Sequence, residues 1–195
     1  KQKTAYEIMP SLVGSEMCIR DRFYGTPRPH KGVEDMLDAV CQIEDPTVIG
    51  VVGGVIKKDP YCRYLMEKYK EKAVFFPVQP FSRLPEFVSM ADVVVIPQRR
   101  TLYAMAQVPA KVFDAMAMAK PVIATNVSDL PYILEGCGII VPPESPEEIK
   151  NAILELLKAP SLALSIGEKA RKKCIENYSY KVCGNKLRNV FLSVV

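Results

Sequence analysis

The hydrophobic pattern of the chain predicts a series of buried strands. Short runs rich in β-branched residues recur along the chain, and most of them are apolar at every position. Continuous apolar runs are typical of strands that are covered on both faces of a sheet. The predicted strands are VIGVVGGV (48–55), AVFFPV (73–78), DVVVIP (92–97), PVIAT (121–125) and GIIVP (138–142), with FYG (23–25) as the remnant of an earlier first strand.

Helical segments are predicted between these strands. KGVEDMLDAVCQI (31–43) places its apolar residues on one face, and SPEEIKNAILELLK (145–158) opens with Ser145 and has acidic residues in its first turn, as a capped helix does. From about Leu162 the pattern is helical to the end. Strands that alternate with helices predict right-handed crossovers and a parallel sheet. The fold class is therefore a Rossmann-like, doubly wound α/β sheet with a helical C-terminal tail.

Composition narrows the class of protein and of site. The chain has 195 residues, a net charge of +4, six cysteines and one histidine. A zinc site and a disulfide framework are not expected, and nucleic acid is not indicated. The cysteines are interpreted as reduced, mostly buried thiols of a cytoplasmic protein. No apolar run approaches the roughly 20 residues of a membrane span, so no transmembrane helix is expected. Residues 1–22 show no period and are expected to be non-native or disordered, which leaves 23–195 as one domain.

The loop after the first strand is the first candidate for chemistry. Ligands bind open parallel sheets beyond the carboxyl ends of the strands. GTPRPHKG (25–32) brings Arg28 and Lys31 to a helix N-terminus, where exposed N–H groups and the helix dipole favour an anion. A solvated basic loop is the alternative, and the P-loop spacing is absent. Gly53 and Gly54 are interpreted as a turn that ends the second strand.

The connection after the strand at 92–97 is the second candidate. QRRTLYAMAQV (98–108) is long for a strand-to-helix loop, which usually takes about 2 to 6 residues, and long loops at this edge are often functional. The following helix is predicted to begin at Pro109. Lys111 and Asp114 are expected to meet at i, i+3 on its surface. A surface ion pair is the alternative, but the position in the ligand crevice favours a nucleotide-type ligand.

Several motifs together resemble those of a known family. ADVVVIP (91–97), PAKVFDAMAMAKPVIATNVSDLPYIL (109–134) and GIIVPPESPEEIKNAI (138–153) are similar to the nucleotide-sugar-binding half of retaining glycosyltransferases of family 4, also called group 1, which have the GT-B fold. GTPRPHKGVEDMLDAV (25–40) resembles the opening loop and first helix of that half. The resemblance covers residues 23 to about 193 and implies the C-terminal half of a GT-B fold.

The resemblance implies a metal-free sugar transfer. Family members hold a nucleoside diphosphate sugar between two Rossmann-like domains with cations and helix N-termini, and they transfer the sugar with retention at the anomeric carbon. No metal or other cofactor is therefore expected. Lys31 matches the diphosphate lysine of the family and Lys111 matches a lysine near the phosphates. Asp114 matches a carboxylate that accepts hydrogen bonds from the ribose hydroxyls.

The sequence departs from the family pattern at defined positions. The first glycine of the donor loop is Gly25, but the arginine that follows falls on Thr26, so Arg28 would have to replace it. The first of two family glutamates, which usually touches the donor sugar, falls on Ala106. The resemblance therefore implies diphosphate and ribose binding and leaves sugar recognition without its usual carboxylate.

We expect the chain to be the donor-binding half of a hexosyltransferase-type enzyme. The acceptor site and a histidine near the reacting centre belong to an N-terminal domain in the family, so no catalytic residue is assigned here. The chain alone is expected to bind nucleotide sugar weakly and to transfer nothing. The alternative is a non-catalytic nucleotide-sugar-binding or scaffold relative. A response-regulator-like or dehydrogenase domain fits less well, because neither an acidic cluster nor Gly-x-Gly-x-x-Gly occurs.

Some properties stay open from the sequence. Arg99, Arg100 and GEKARKK (167–173) could provide a peripheral contact with anionic lipid at the inner face of the membrane, and a solvated helix face is the alternative. The nucleotide, the sugar, the acceptor and the oligomeric state leave no signature in the residues.

Overall fold

A six-stranded parallel sheet forms the centre of the domain. The computed structural model describes residues 19–193, with side chains from Phe23 onward. The strand order is β3-β2-β1-β4-β5-β6, and every neighbouring pair is parallel. The predicted doubly wound sheet is confirmed. The strands are β1 (Ile19–Phe23), β2 (Val48–Val55), β3 (Ala73–Pro77), β4 (Val93–Ile96), β5 (Val122–Thr125) and β6 (Ile139–Val141).

Helices connect the strands and follow the last one. Single 3-10 turns lie at Pro29–Lys31 and Phe81–Arg83. Beyond β6, the described residues are helical and add no strand, which confirms the predicted helical tail. The helices are α1 (Val33–Cys41), α2 (Pro60–Lys68), α3 (Leu84–Ser89), α4 (Leu102–Met105), α5 (Lys111–Ala117), α6 (Leu130–Leu134), α7 (Pro146–Lys158), α8 (Pro160–Tyr178) and α9 (Tyr180–Leu192).

The first strand begins earlier than the predicted domain boundary at residue 23. β1 starts at Ile19 and lies in the middle of the sheet, where Arg22 pairs with Val51 of β2 and with Val94 of β4. The two neighbouring strands need a backbone partner between them, and peptide groups pair whatever the side chains are. The expected disorder therefore does not extend to residues 19–22. Residues 1–18 lie outside the described part, and the suggestion that the first 22 residues are non-native stays a prediction.

Both faces of the sheet are covered, as the continuous apolar strands predicted. On one face, fully buried side chains of α1, α2 and α7 pack together, among them Met36, Leu65 and Ile153. On the other face, α5 and α6 contribute Met116 and Leu134. Burying each such side chain stabilises the fold by roughly 1.5–3 kcal/mol. The two layers leave the carboxyl edge of the sheet as the place where loops meet.

The capping predicted for α7 is only partly present. Ser145 occupies the N-cap position, but its side chain does not cap the helix and its hydroxyl donates to the Pro143 carbonyl at 3.2 Å. Glu147 and Glu148 do lie in the first turn, where they complement the helix dipole. Across residues 19–193, no helix is both long enough and apolar enough to span a bilayer.

Candidate functional site

A cavity of about 580 Å³ opens at the carboxyl edge of the sheet. The strand order reverses between β1 and β4, and the ends of both strands border this cavity. Such a switch point is where doubly wound sheets bind ligands. Five of the six predicted site residues lie in the lining, namely Gly25, Thr26, Lys31, Lys111 and Asp114.

Glycines let the loop after β1 approach two other strands closely. A Cβ atom at Gly32 would lie 1.7 Å from the Pro97 carbonyl oxygen, so the start of α1 touches the end of β4. At Gly54, where φ is +86°, a Cβ atom would lie 2.7 Å from the Gly25 carbonyl carbon and 2.8 Å from the Thr26 nitrogen. The prediction that Gly53 and Gly54 form a turn is wrong. Both lie inside β2 beside an irregularity in its pairing with β3, and Gly54 makes room for the cavity loop.

Lys31 is folded back over this loop. Its ammonium group donates to the Thr26 carbonyl oxygen at 2.8 Å, and no carboxylate pairs with it among the described residues. Burial lowers the pKa of Lys31, and the charge of Arg28 lowers it further. A partly desolvated cation without a counter-charge suits an anionic ligand.

Lys111 faces the same cavity from the other side. Helix α5 begins at Lys111, after Ala110 at the N-cap, and so starts later than the predicted Pro109. The Lys111 Nζ lies 3.5 Å from the centroid of the Phe23 ring, which is a cation–π contact. A Cβ atom at Gly25 would lie 3.7 Å from this Nζ, so the lysine and the β1 loop are direct neighbours.

Lys111 and Asp114 were expected to meet at i, i+3, with a surface ion pair as the alternative, but no ion pair joins them among the described residues. Lys111 is the first residue of its helix, and its side chain turns toward β1 instead of running down the helix surface. Burial raises the pKa of the half-buried Asp114 carboxyl, which has no hydrogen-bond donor in the same range. A surface ion pair therefore does not explain the positions of Lys111 and Asp114.

Lys31 and Lys111 interact electrostatically. Burial holds the pKa of Lys111 well below its usual range, and the nearby charge of Lys31 lowers it further. Two cations that repel each other in one cavity raise the local positive potential. The structure thus brings together the two lysines that the sequence placed on separate loops.

Two buried polar residues of the cavity were not predicted from the sequence. Tyr24 is 5% exposed, and its hydroxyl donates to the Lys111 carbonyl at 2.5 Å, which ties the end of β1 to the start of α5. Burial and the charge of Asp114 raise the pKa of this phenol. Gln98, directly after β4 and Pro97, is 3% exposed and lines the cavity. Neither residue type carries a sequence signal that separates a site residue from a core residue.

Apolar side chains form another part of the wall. Phe81 lines the cavity and is 85% exposed, while Phe87 is buried and packs edge-on against Phe76. Val78 and Pro80 from the loop after β3 complete this surface. A flat apolar surface of this kind suits an aromatic ring of a ligand.

Arg28 lies outside the cavity lining. Its guanidinium pairs with Asp59 at 2.6 Å, and Asp59 also accepts a hydrogen bond from the Cys62 backbone at the start of α2. Its predicted role in donor binding stays a prediction. In this structure Arg28 connects the β1 loop to α2.

Arg99 and Arg100 are both engaged with other parts of the domain. Arg99 donates two hydrogen bonds to the buried Asp35 carboxylate, at 2.9 and 2.6 Å, and its backbone N–H donates to the His30 carbonyl at 3.0 Å. Arg100 donates to the Asn126 carbonyl at 3.2 Å. Arg99 thus ties the loop after β4 to α1, and the peripheral lipid contact stays a prediction.

No cluster of His, Cys, Asp or Glu side chains that could hold a metal ion occurs among residues 19–193. Among the described residues that line the cavity, the charged side chains are those of Lys31, Lys111 and Asp114.

A doubly wound sheet with cations gathered at its switch point is characteristic of domains that bind nucleotides and other phosphate compounds. The family is defined more closely by sequence. The family model for group 1 glycosyl transferases matches residues 22–159, and the chain belongs to this family.

Known proteins agree with this assignment. An uncharacterized glycosyltransferase of Methanocaldococcus jannaschii is 26% identical over 171 residues, which are 87% of this chain and 46% of that protein. The Anabaena protein HepE, solved with UDP-glucose, has a TM-score of 0.80 at 16% identity and covers 96% of this chain and 51% of its own. The C-terminal domain of the group 1 glycosyl transferase LpcC from Francisella tularensis has a TM-score of 0.65 at 19% identity, covering 83% of this chain and 86% of that domain.

The chain spans about half the length of the full proteins it matches. The two solved structures show that the fold is shared, and the Francisella structure is a C-terminal domain of matching size.

Proposed function

We propose that this chain is the donor-binding half of a retaining glycosyltransferase, which transfers a sugar from a nucleoside diphosphate sugar to an acceptor. The observation that carries the proposal is the pair of lysines, Lys31 and Lys111, that line one cavity without a carboxylate partner in the described residues. A bound diphosphate supplies a negatively charged partner for both lysines.

The lysines have a chemical task in such a transfer. The bond that breaks joins the anomeric carbon to a diphosphate oxygen, and its electron pair leaves with the diphosphate. Cations that are already in place stabilise this developing charge without reorganising. Lys31 and Lys111 fill that role here. Because Gly25 has no side chain, the diphosphate can come close to the backbone at Gly25 and Thr26.

The other parts of the cavity fit the rest of a nucleotide. Asp114, one helical turn beyond Lys111, offers a carboxylate to the ribose hydroxyls. The surface around Phe81 and Pro80 offers an apolar face to the base. HepE, a structural neighbour, was solved with UDP-glucose, and this supports a ligand of the same class for this chain.

The acceptor side belongs to the remainder of the full-length protein. The chain covers about half of its relatives, and its fold matches a separate C-terminal domain. We therefore expect the isolated chain to bind nucleotide sugar weakly and to transfer no sugar, since half of the cleft is missing.

Calorimetry with UDP, GDP and ADP tests the proposal. We expect one nucleotide to bind at millimolar or sub-millimolar concentration, and Lys31→Met to weaken it by roughly tenfold or more, because a charge-assisted hydrogen bond contributes about 1.5–3 kcal/mol. Lys181→Met, an exposed lysine on α9, is the matched control and should leave the affinity unchanged. Absence of heat with all three nucleotides, or equal heat after Lys31→Met, would refute the proposal.

A further inference from the structure

Gln98 is a buried polar residue of the cavity whose side chain is incompletely satisfied. It is 3% exposed, and its Oε1 has no hydrogen-bond donor within the described part of the chain. Buried side-chain oxygens are nearly always paired, and an unpaired one costs about 1–3 kcal/mol. Because Gln98 lines the cavity, a bound ligand is the available source of the missing donor.

The backbone around Gln98 is held on both sides. The Thr125 hydroxyl donates to the Gln98 carbonyl oxygen at 2.7 Å, which fixes it to the end of β5. The next residue, Arg99, donates its N–H to the His30 carbonyl at 3.0 Å and its guanidinium to Asp35. The backbone of Gln98 is thus anchored at the end of β4, which limits the positions that its side-chain amide can take.

The chemistry of the amide oxygen selects the part of the ligand that it contacts. A carbonyl oxygen only accepts hydrogen bonds, and a diphosphate at neutral pH has no hydrogen to donate. Hydroxyl groups of the ribose and of the sugar do, and so do N–H groups of the base, which the proposed function places against Phe81 and Pro80. Gln98 therefore marks a hydroxyl-bearing part of the ligand.

The position of Gln98 favours the sugar over the ribose. Asp114 lies next to Tyr24 and one turn from Lys111, while the chain beside Gln98 is bonded to His30, the neighbour of Lys31. Asp114 and Gln98 therefore line the cavity from different elements, α5 and the end of β4. If Asp114 serves the ribose, Gln98 serves the sugar.

We propose that the side-chain amide of Gln98 accepts a hydrogen bond from a hydroxyl group of the transferred sugar and is a specificity-determining residue of the donor site. The inference rests on the proposed donor-binding function. The family glutamate that usually touches the donor sugar falls on Ala106 in this chain, and Ala106 lies outside the cavity lining. Gln98 supplies a neutral hydrogen-bond acceptor to this site instead.

Paired titrations test this inference. The affinity of the chain is measured for a nucleoside diphosphate and for its glucose ester, with UDP and UDP-glucose, GDP and GDP-glucose, and ADP and ADP-glucose as probes. The wild-type chain should bind the glucose ester of its preferred nucleotide more tightly than the nucleotide alone. Gln98→Met, close in size but without the amide, should weaken the glucose ester by about 3- to 10-fold, the contribution of one hydrogen bond, and leave the nucleotide within twofold.

Two further variants make the result specific. Gln98→Glu keeps an acceptor oxygen at the same position and should retain more of the glucose increment than Gln98→Met. Gln42→Met is the matched control, because Gln42 is exposed just after α1 and lies outside the cavity lining, and it should change neither affinity. Circular dichroism verifies that each variant is folded.

The outcomes separate the two proposals. Failure of all nucleotides to bind would refute the donor-binding function itself. Nucleotide binding without a glucose increment in the wild type, an increment unchanged in Gln98→Met, or an equal loss for nucleotide and glucose ester would each refute the role of Gln98 alone. An equal loss would assign Gln98 to the ribose or to the fold.

Discussion

Two adjacent clusters of charge at the carboxyl edge of the sheet are organised in opposite ways. Where α1 meets the end of β4, Arg99 and the buried Asp35 are joined by two hydrogen bonds, and the backbone beside them is paired as well. In the neighbouring cavity, Lys31 and Lys111 repel each other, and neither forms an ion pair among the described residues, although Asp114 lines the same cavity.

The difference separates structural charge from charge that awaits a ligand. An ion pair with good geometry fixes two elements relative to each other, and removing one partner leaves a buried charge. Like charges brought together do the reverse, because they cost stability until an anion arrives. The Arg99–Asp35 pair holds the loops in place, and these loops position Lys31 and Lys111 for an anion.

The largest expected effect comes from removing both cavity cations. Lys31→Met with Lys111→Met should weaken diphosphate binding by at least about 100-fold, since two charge-assisted contacts are lost. The melting temperature should stay the same or rise by a few degrees, because desolvation and repulsion of the two charges disappear. Calorimetry and thermal unfolding of the same sample measure both. A double variant that unfolds, or that binds like the wild type, contradicts the assignment of these lysines.

Breaking the paired cluster should have the opposite profile. Arg99→Met leaves the buried Asp35 carboxylate without its partner, and we expect the free energy of unfolding to fall by roughly 2 kcal/mol. Urea unfolding measures this loss. Arg100→Met is the control, since Arg100 is exposed and makes a single bond to a carbonyl, and it should change stability by less than about 0.5 kcal/mol. An equal loss of unfolding free energy in both variants would show that the Arg99–Asp35 pair stabilises the fold no more than Arg100 does.

The pH dependence of stability and of diphosphate affinity should also distinguish the cavity lysines from the Arg99–Asp35 pair. The pKa of Lys111 is lower in the folded than in the unfolded chain, so the unfolded state binds more protons between the two values. Stability therefore rises with pH through this window, up to the ordinary lysine pKa of about 10.4. Diphosphate affinity falls as pH rises through the lowered pKa, because the neutral amine cannot pair with the anion.

A comparison of wild type with Lys111→Met isolates this effect from other titrations. The difference in unfolding free energy and the difference in affinity should change in opposite directions as pH increases. Parallel changes, or no change, would show that Lys111 titrates normally in the fold.

The smallest expected effect concerns Arg28. Because its guanidinium is paired with Asp59 outside the cavity, Arg28→Gln should weaken diphosphate binding by less than about threefold. The same titration that reports Lys31→Met measures it. A tenfold loss would show that Arg28 leaves Asp59 and joins the ligand, as the sequence predicted.

Some of this could be predicted from the sequence for clear physical reasons. Strands buried on both faces must be apolar throughout, so 48–55 and 93–96 were visible as runs. Loops at the carboxyl edge must carry the ligand groups, which directed attention to Lys31 and Lys111. Both predictions depend on local pattern alone.

Other features depend on contacts between distant segments and leave no local pattern. The partner of Arg28 comes from the loop before α2, and the interaction of Lys111 with Phe23 replaces the expected pair with Asp114. The unpaired amide oxygen of Gln98 is buried only once the ends of β4 and β5 are brought together. Such properties belong to the fold and could not be read from spacing.

A crystal structure of the chain with its preferred nucleoside diphosphate would test the central claim most directly. We expect the Nζ atoms of Lys31 and Lys111 both to lie within about 3.2 Å of oxygens of one pyrophosphate group. A diphosphate bound elsewhere, or one that reaches a single lysine while the other stays on Phe23, would contradict it.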